Sequence, residues 1–291
     1  MADAVLAIDI GGTKMAAGLV DHDGRVGERS LVPTPPGAGD EVLWSTLVGA
    51  IEALHWRDAA VGVGVGCGGP MTPGGTLVSP LNIPGWRDFP LAARLEEMTG
   101  LPVAVDNDAK ALALAEGWRG AAAGIGDFMA MVVSTGVGGG IVLDGRLLDG
   151  ATGNAGHVGH VLVEPDGHRL PEHAAGVLEC EASGTAITAI TGLPPAEASP
   201  AIVERTGRMV GRGAASVCNL LDLRLVVVAG SVALGFGDPF FRAAQDEMDR
   251  LCVLDFSRGA RIVPAGLGGD GPLVGAAAVA WRAKGYDVGI A

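Results

Sequence analysis

Short apolar runs that end in glycine-rich segments recur along the chain, and each predicts a buried β-strand followed by a tight turn. The first run, residues 5–10, ends at Gly11 and Gly12, and a second apolar run, residues 15–20, follows it. Two such runs joined by a short turn predict a β-hairpin. Longer stretches with helical character, at about residues 40–54, 91–98 and 273–282, lie among later runs. This alternation of strands and helices indicates an α/β protein.

The pattern of strand, glycine-rich turn and strand occurs twice. Residues 128–133 form an apolar run that leads into the glycine-rich residues 134–140, and residues 141–143 form the returning run. A repeated unit predicts two duplicated α/β lobes around a cleft, each presenting one glycine-rich turn. We expect a smaller N-terminal lobe of residues 1–108 that also takes in the C-terminal helix at 273–291. A larger lobe would contain residues 109–272.

Composition and charge narrow the classes of function. The chain has 291 residues, and 20 Lys and Arg against 33 Asp and Glu give a net charge of −13. Such a surface repels polyanions, so no nucleic acid partner is expected. No apolar run approaches the roughly 20 residues of a membrane span, and no secretion signal precedes residue 9, so we expect no membrane association and a cytoplasmic protein.

The cysteines and the first glycine-rich turn point to different chemistry. The four cysteines are scattered without C-x-x-C spacing, which favours buried reduced thiols over disulfides or a thiol metal site. Backbone N–H groups of a glycine-rich turn can converge on a phosphate, because no Cβ blocks the approach. Asp9 precedes the first turn, and a carboxylate beside a phosphate is a usual way to hold hydrated Mg²⁺. The G-x-x-x-x-G-K-[ST] spacing of a P-loop is absent.

Seven segments, in order along almost the whole chain, resemble the motifs of the ROK family. They are D-I-G-G-T-K at 9–14, G-C-G-G-P at 66–70, N-D-A-K at 107–110, S-T-G-V-G-G-G at 134–140, G-H at 159–160, L-E-x-x-A-S-G at 178–184 and L-G-G-D-G-P-L-V-G-A at 267–276. The resemblance implies the actin-like ATPase fold, which is ribonuclease H-like, and a homodimer. It also implies an ATP-dependent kinase that transfers the γ-phosphate to the 6-hydroxyl of a hexose, with glucose as the first expectation.

The resemblance assigns roles to individual residues. Asp108 matches the catalytic base, which takes the proton of the sugar hydroxyl. Its alternative is a helix N-cap, which Asn107 or Asp106 could supply instead. Lys110, where the family often has Asn, is expected at an exposed helix position. The expected sugar pocket comprises Gly69, Asn107, Asp108, His157, His160 and Glu179. The expected ATP site comprises Gly11, Gly12, Thr13, Lys14, Thr135, Gly136, Gly138 and Gly230, with Mg²⁺ near Asp9.

Two departures from the family pattern bear on the sugar and on metal binding. His157 stands where the family usually has Glu, and a histidine can donate where a carboxylate only accepts, so sugar selectivity should differ. Many members bind structural zinc through the G-H histidine and three cysteines, but those places here are Leu170, Glu172 and Val177. We therefore expect no zinc, and apolar packing of Leu170, Val177 and Leu178 instead. A substitute zinc site of His160, His168, His173 and Cys180 stays open.

Three other functions compete with a glucose kinase. A sugar-sensing ROK repressor carries a helix-turn-helix domain ahead of the first motif, but only eight residues precede Asp9 here. A polyphosphate-driven glucokinase would need a basic track that the composition does not offer. A kinase of an amino sugar or its N-acetyl derivative, such as kanosamine, N-acetylglucosamine or N-acetylmannosamine, is supported only by the change at His157.

Overall fold

The computed structural model describes residues 3–171 and 173–291. These residues contain ten strands and nine α-helices, joined by loops. The strands are β1 Ala4–Ile10, β2 Lys14–Asp21, β3 Val26–Pro33, β4 Ala60–Cys67, β5 Val103–Asn107, β6 Phe128–Val133, β7 Val137–Leu143, β8 Arg146–Leu147, β9 Leu225–Ala229 and β10 Arg261–Pro264. The helices are α1 Asp40–Glu52, α2 Leu91–Thr99, α3 Asp108–Arg119, α4 Leu178–Ala182, α5 Gly184–Thr191, α6 Pro200–Leu221, α7 Ser231–Phe236, α8 Asp238–Leu251 and α9 Gly271–Ala283.

The chain divides into two units. The first runs through Gly124 and includes Arg146–Ala155 and Leu267–Ala291, and the second comprises Ile125–Gly145 and Gly156–Gly266. The first unit thus continues past the boundary predicted at residue 108. The first unit includes α3 because α3 packs closely on α9. The two helices are so close at Gly275 that an added Cβ there would lie 2.5 Å from the carbonyl oxygen of Ala111.

The sheet of the first unit has the order β3-β2-β1-β4-β5. Strands β1, β2 and β3 are antiparallel, whereas β1, β4 and β5 run parallel. In the register, Ile10 lies beside Cys67 and Cys67 lies beside Asn107. The three parallel strands therefore end level with one another, and the polar residues at their carboxyl ends share one edge of the sheet.

The sheet of the second unit repeats this order. Strand β6 pairs antiparallel with β7 and parallel with β9, which pairs parallel with β10. The order β10-β9-β6-β7 corresponds to β5-β4-β1-β2, and the two-residue strand β8 follows β7 through a turn at Asp144 and Gly145. The predicted duplication of the α/β unit is confirmed.

Two further predictions concern thiols and membranes. The free cysteines Cys67, Cys180, Cys218 and Cys252 are all buried, which confirms the prediction of buried reduced thiols. In the described part of the chain, none of the helices combines the length and the apolar character that crossing a membrane requires.

The close approach of α9 to β4 generates a stability prediction. A Cβ at Gly64 would overlap the carbonyl oxygen of Ala276. Gly64→Ala should therefore push α9 away from the sheet and lower the free energy of unfolding by ~1–3 kcal/mol. Gly49→Ala is the matched control, because Gly49 lies in α1 with nothing within 4 Å of an added Cβ; there alanine should raise stability by up to ~1 kcal/mol. Urea denaturation measures both variants, and equal midpoints would contradict the prediction.

Candidate active site

Two carboxylates flank a glycine at the carboxyl edge of the first sheet. Asp9 lies beside Gly66 in the register of β1 and β4, and Gly66 lies beside Asp106 in the register of β4 and β5. A Cβ at Gly66 would be 3.8 Å from Oδ1 of Asp9 and 3.6 Å from Cα of Asp108. The lack of a side chain at Gly66 therefore leaves open the space between the predicted metal-binding acid and the predicted catalytic base.

The start of α3 shows which residue caps this helix. Oδ1 of Asn107 accepts from the N–H of Ala109 at 3.0 Å and from the N–H of Lys110 at 3.3 Å. Asn107 thus supplies the N-cap, as one of the two alternatives foresaw. Oδ1 of Asp108 accepts from the N–H of Ala109 at 2.8 Å. Because Asn107 already caps the helix, an aspartate at position 108 is not required for capping.

The electrostatics of Asp9 reflect its neighbours. The pKa of Asp9 is raised from 3.8 to about 7, chiefly by burial and also by the negative charge of Asp108, while Lys14 opposes the shift. The negative charge of Asp108 therefore disfavours the ionised form of Asp9. A divalent cation bound here would remove that repulsion, and Mg²⁺ characteristically uses one or two protein carboxylates together with phosphates and water. The single carboxylate of Asp9 fits the way in which proteins hold Mg²⁺.

The turn between β1 and β2 is tied down by residues that the sequence did not single out. The N–H of Gly11 donates to the carbonyl of Lys14 at 3.0 Å, and Oγ1 of Thr34 donates to the carbonyl of Gly11 at 2.7 Å. A Cβ at Gly12 would lie 2.9 Å from the carbonyl oxygen of Asn82. Position 12 therefore accepts only glycine. The hydrogen bonds of Lys14 and Thr34 fix the turn without help from a ligand.

Lys110 corrects an expectation. It was predicted at an exposed helix position, but it is only 2% exposed. Its Nζ lies 2.6 Å from Oδ1 of Asp149 and 3.0 Å from Oδ1 of Asp106. A buried ammonium requires such compensation, because desolvation without a counter-charge is costly. The i,i+4 spacing of Asp106 and Lys110 was visible in the sequence, whereas the contribution of Asp149 was not.

Gly69, predicted in the sugar pocket, lies in the loop after β4. Its carbonyl accepts from the N–H of Leu81 at 3.1 Å. Asn154 fastens the same loop: Oδ1 accepts from the N–H of Met71 at 3.2 Å, and Nδ2 donates to the carbonyl of Met71 at 3.1 Å. This two-way contact connects the segment Arg146–Ala155 to the loop, and the sequence had given no sign of it.

In the second unit, the turn after β6 is held by α5. The carbonyl of Ser134 accepts from the N–H of Gly184 at 2.7 Å, and the carbonyl of Thr135 accepts from Oγ1 of Thr185 at 2.9 Å. Gly230 follows β9 with φ 102°, and a Cβ there would overlap the carbonyl oxygen of Val133. The predicted Thr135, Gly136 and Gly230 therefore share this end of the second sheet. Gly138 lies beyond the turn, within β7 and opposite Val132.

A cavity of about 1020 Å³ opens beside this turn. Small and apolar side chains dominate its wall, with a few hydroxyls, which is the usual character of a site for a heterocyclic base or sugar. Sequence reasoning missed most of its wall, because helix α5 and the two prolines at 194 and 195 carry no phosphate motif. The wall includes Thr135, Thr185, Thr188, Pro195, Ser231 and Phe236.

Three histidines and a glutamate gather elsewhere in the second unit. The rings of His157 and His160 have centroids 6.2 Å apart. His160 stacks on His173 at 5.2 Å with an interplanar angle of 9°. Nε2 of His173 lies 3.2 Å from Oε1 of Glu179, whose Oε2 accepts from the N–H of Val137 at 2.8 Å. The predicted sugar residues His157, His160 and Glu179 therefore do form one group, and His173 joins them.

The four residues considered as a substitute zinc site do not meet at one point. Nδ1 of His168 pairs with Oε2 of Glu181 at 3.0 Å, and Sγ of Cys180 accepts from the N–H of Leu170 at 3.3 Å. Across residues 3–171 and 173–291, no group of three or more His, Cys, Asp or Glu side chains could hold a metal ion. Glu172, one of the places of the family's zinc cysteines, lies outside the described residues.

Residues 170–178, for which the sequence predicts apolar packing in place of zinc, are held by that packing and by one buried carboxylate. Leu170 and Val177 belong to one apolar cluster, and Leu178 is fully buried, as predicted. Glu181 is also fully buried. It accepts from the backbone N–H of His168 and from the guanidinium of Arg205. The apolar part of this arrangement followed from the sequence, and the polar part did not.

Comparison with known proteins decides the family. The model of the ROK family matches residues 5–283. The chain belongs to the ROK family. This ROK protein is 38% identical over 250 residues to the N-acetylmannosamine kinase of Citrobacter koseri, which covers 80% of the chain and 85% of that protein.

Solved structures agree with the family and with the fold. The ROK hexokinase of Thermus thermophilus is 35% identical with a TM-score of 0.81, covering 97% of this chain and 99% of that one. A ROK family glucokinase from Streptomyces griseus, solved with glucose and AMPPNP, is 30% identical with a TM-score of 0.83 and covers 96% and 99%. The predicted family resemblance and the predicted actin-like ATPase fold are confirmed.

The raised pKa of Asp9 predicts how stability depends on pH. A carboxyl whose pKa rises from 3.8 to about 7 on folding stabilises the fold fully below pH 3.8, and that contribution is lost as the pH rises through 7. Because Asp9 keeps some solvent exposure, Asp9→Asn should raise the free energy of unfolding at pH 8 by only ~1–3 kcal/mol. This gain should shrink towards pH 4. Chemical denaturation without nucleotide measures it at each pH.

The exposed Asp58 provides the control for this measurement. Asp58→Asn should change stability by less than ~0.5 kcal/mol at every pH, as surface substitutions usually do. A loss of stability in Asp9→Asn at pH 8 would contradict the prediction.

Proposed function

We propose that this ROK protein is an ATP-dependent kinase that phosphorylates the 6-hydroxyl of N-acetylmannosamine. The likeness to the N-acetylmannosamine kinase of Citrobacter koseri carries the choice of sugar, because it extends over 80% of the chain. The sequence alone placed glucose first and amino sugars second. The relatives favour that second reading, and glucose is no longer the leading substrate.

Asp108 is the proposed catalytic base. Its position at the start of α3 favours the ionised carboxylate, because the N-terminus of a helix carries partial positive charge. The carboxylate would accept the proton of the sugar hydroxyl while that oxygen forms a bond to the γ-phosphorus and the bond from phosphorus to the β,γ-bridging oxygen breaks. Nearby, Asp9 would hold the Mg²⁺ that accompanies ATP and lowers the negative charge of the phosphates.

The two glycine-rich turns are the proposed phosphate contacts. In the first turn, backbone N–H groups of Gly11, Gly12 and Thr13 and the side chain of Lys14 would bind phosphate oxygens. In the second turn, Thr135 and Gly136 are the residues proposed for the same task. The cavity beside Thr135 would take the adenosine, since an apolar wall with a few hydroxyls suits a base and its ribose.

The residues proposed for sugar recognition are those that match the family motifs, namely Gly69, Asn107, His157, His160 and Glu179. A carboxylate accepts from hydroxyl groups, whereas a neutral imidazole can also donate to the carbonyl oxygen of an acetamido group. This combination suits an N-acetylated sugar.

A panel of sugars tests the proposal. With ATP and Mg²⁺, kcat/KM should be highest for N-acetylmannosamine among N-acetylmannosamine, N-acetylglucosamine, kanosamine, mannose and glucose. The product should be the 6-phosphate by ³¹P NMR. Asp108→Asn should lower kcat by ~10²–10⁴, the usual worth of a general base, and should leave sugar binding largely intact.

Asp58→Asn again serves as the control and should keep the kcat of the wild type. Failure of every sugar while ATP still binds would contradict the kinase function. A higher kcat/KM for glucose than for N-acetylmannosamine would contradict the choice of sugar, and retention of more than a tenth of kcat in Asp108→Asn would contradict the base.

His157 should set part of the selectivity. Desolvation, together with the neighbouring His160, lowers the pKa of His157 below 6.5, so its ring is neutral and can donate at pH 7.5. His157→Glu replaces a donor with an acceptor that repels an acetamido carbonyl. The ratio of kcat/KM for N-acetylmannosamine over glucose should therefore fall by ~5- to 150-fold, or about 1–3 kcal/mol. His22→Glu, at an exposed histidine, should leave the ratio unchanged; an unchanged ratio in His157→Glu would contradict the role.

A further inference from the structure

His173 is the one member of the histidine and glutamate group to which the proposed function gives no task. Its side chain is 11% exposed, and its Nε2 atom is buried without an aligned hydrogen-bond partner among residues 3–171 and 173–291. That atom nevertheless lies 3.2 Å from Oε1 of Glu179. Buried polar atoms in this situation call for an explanation.

The other ring nitrogen of His173 contacts a backbone carbonyl. Nδ1 of His173 lies 2.8 Å from the carbonyl oxygen of Pro171. A carbonyl oxygen only accepts, so Nδ1 must carry a proton and donate it. If that were the only proton on the ring, the lone pair of Nε2 would face the carboxylate of Glu179, and two acceptors would oppose each other. The 3.2 Å contact between Nε2 of His173 and Oε1 of Glu179 is therefore favourable only when Nε2 carries a proton as well.

The consequence for Glu179 is a carboxylate fixed at both oxygens. Oε2 accepts from the N–H of Val137, and Oε1 faces Nε2 of His173. The carboxylate also lies against the backbone of the turn, since a Cβ at Gly136 would be 3.3 Å from either of its oxygens. Its plane therefore has little freedom, as a group that recognises hydroxyls by direction requires.

The ring of His173 also fixes His160. The two imidazoles are nearly parallel, at 9° and 5.2 Å between centroids. One face of the His160 ring is thus covered by His173, which restricts the rotation of a side chain that is otherwise exposed. A single side chain contacts two of the residues proposed for the sugar.

We propose that His173 is a positioning residue that orients Glu179 through Nε2 and His160 through ring stacking, so that both meet the sugar in one fixed arrangement. This inference rests on the proposed function. In this proposal His173 contributes to sugar affinity and takes no part in proton or phosphoryl transfer.

Substitution of His173 should spare the fold, because other contacts fasten its segment. Leu170 and Val177 are buried in an apolar cluster on either side of it, and Glu181 binds His168 and Arg205. The effects of His173 variants on sugar affinity can therefore be measured on folded protein.

Two variants separate the two contacts. His173→Phe keeps an aromatic ring to stack on His160 but removes Nε2, whereas His173→Gln keeps an N–H donor that reaches Glu179 but removes the ring. We expect His173→Phe to raise KM for the sugar at least about tenfold, as for a lost hydrogen bond to a charged group, with kcat and KM for ATP within about threefold. His173→Gln should recover most of the sugar affinity. His55→Gln, which changes an exposed histidine paired with Glu28, is the control and should match the wild type.

The outcomes separate this inference from the proposed function. Inactivity of the wild-type protein on every sugar contradicts the proposed function. If the wild type is active, a KM in His173→Phe within twofold of the wild type overturns the positioning role. So does an equal loss in His173→Phe and His173→Gln accompanied by an equal fall in melting temperature, because that result indicates packing alone.

A measurement without turnover tests the contact between His173 and Glu179 directly. The ¹⁵N chemical shift of Nε2 of His173 reports whether a proton lies on that atom. Glu179→Gln should move this shift, because the amide cannot replace the carboxylate as the partner, and Glu28→Gln should not. An unmoved shift in Glu179→Gln overturns the inference even if no substrate has been found.

Discussion

The register of the three parallel strands β1, β4 and β5 determines the chemistry of the first unit. These strands end level at Ile10, Cys67 and Asn107, so the acids that precede or follow these positions lie at one edge of the sheet. A shift of one residue in any strand would turn each side chain to the opposite face. Gly64 and Gly275 protect this register, because they allow α9 to pack directly on β4 and α3.

That edge also shows a conflict between stability and chemistry. Asp9 and Asp108 each lie beside Gly66, where burial and the negative charge of Asp108 disfavour the ionisation of Asp9. A protein selected for stability alone would replace one of them with a neutral residue. Sites of phosphoryl transfer commonly retain such repulsion, since the metal and phosphates that bind there remove it.

The sequence predicted correctly those features that depend on neighbouring residues along the chain. The strands and the glycine turns follow from local pattern and from the chemistry of turns, and the N-cap at Asn107 was one of the alternatives that the sequence left open. Sequence reasoning failed where a residue's task depends on a partner distant in sequence. Lys110 can be buried because Asp149 lies near it, Gly12 cannot be replaced by a larger residue because Asn82 lies too close, and His173 acts through Glu179. Long-range pairs of this kind follow from packing, which no spacing rule describes.

The duplicated topology has an evolutionary consequence under the proposed function. The carboxylates proposed for the phosphoryl group, Asp9 and Asp108, belong to the first unit, and the histidines proposed for the sugar, His157 and His160, belong to the second. Substitutions in the second unit can therefore alter which sugar is accepted without disturbing the strand register that supports transfer. A family built in this way can acquire new substrates through few mutations while its central reaction stays the same.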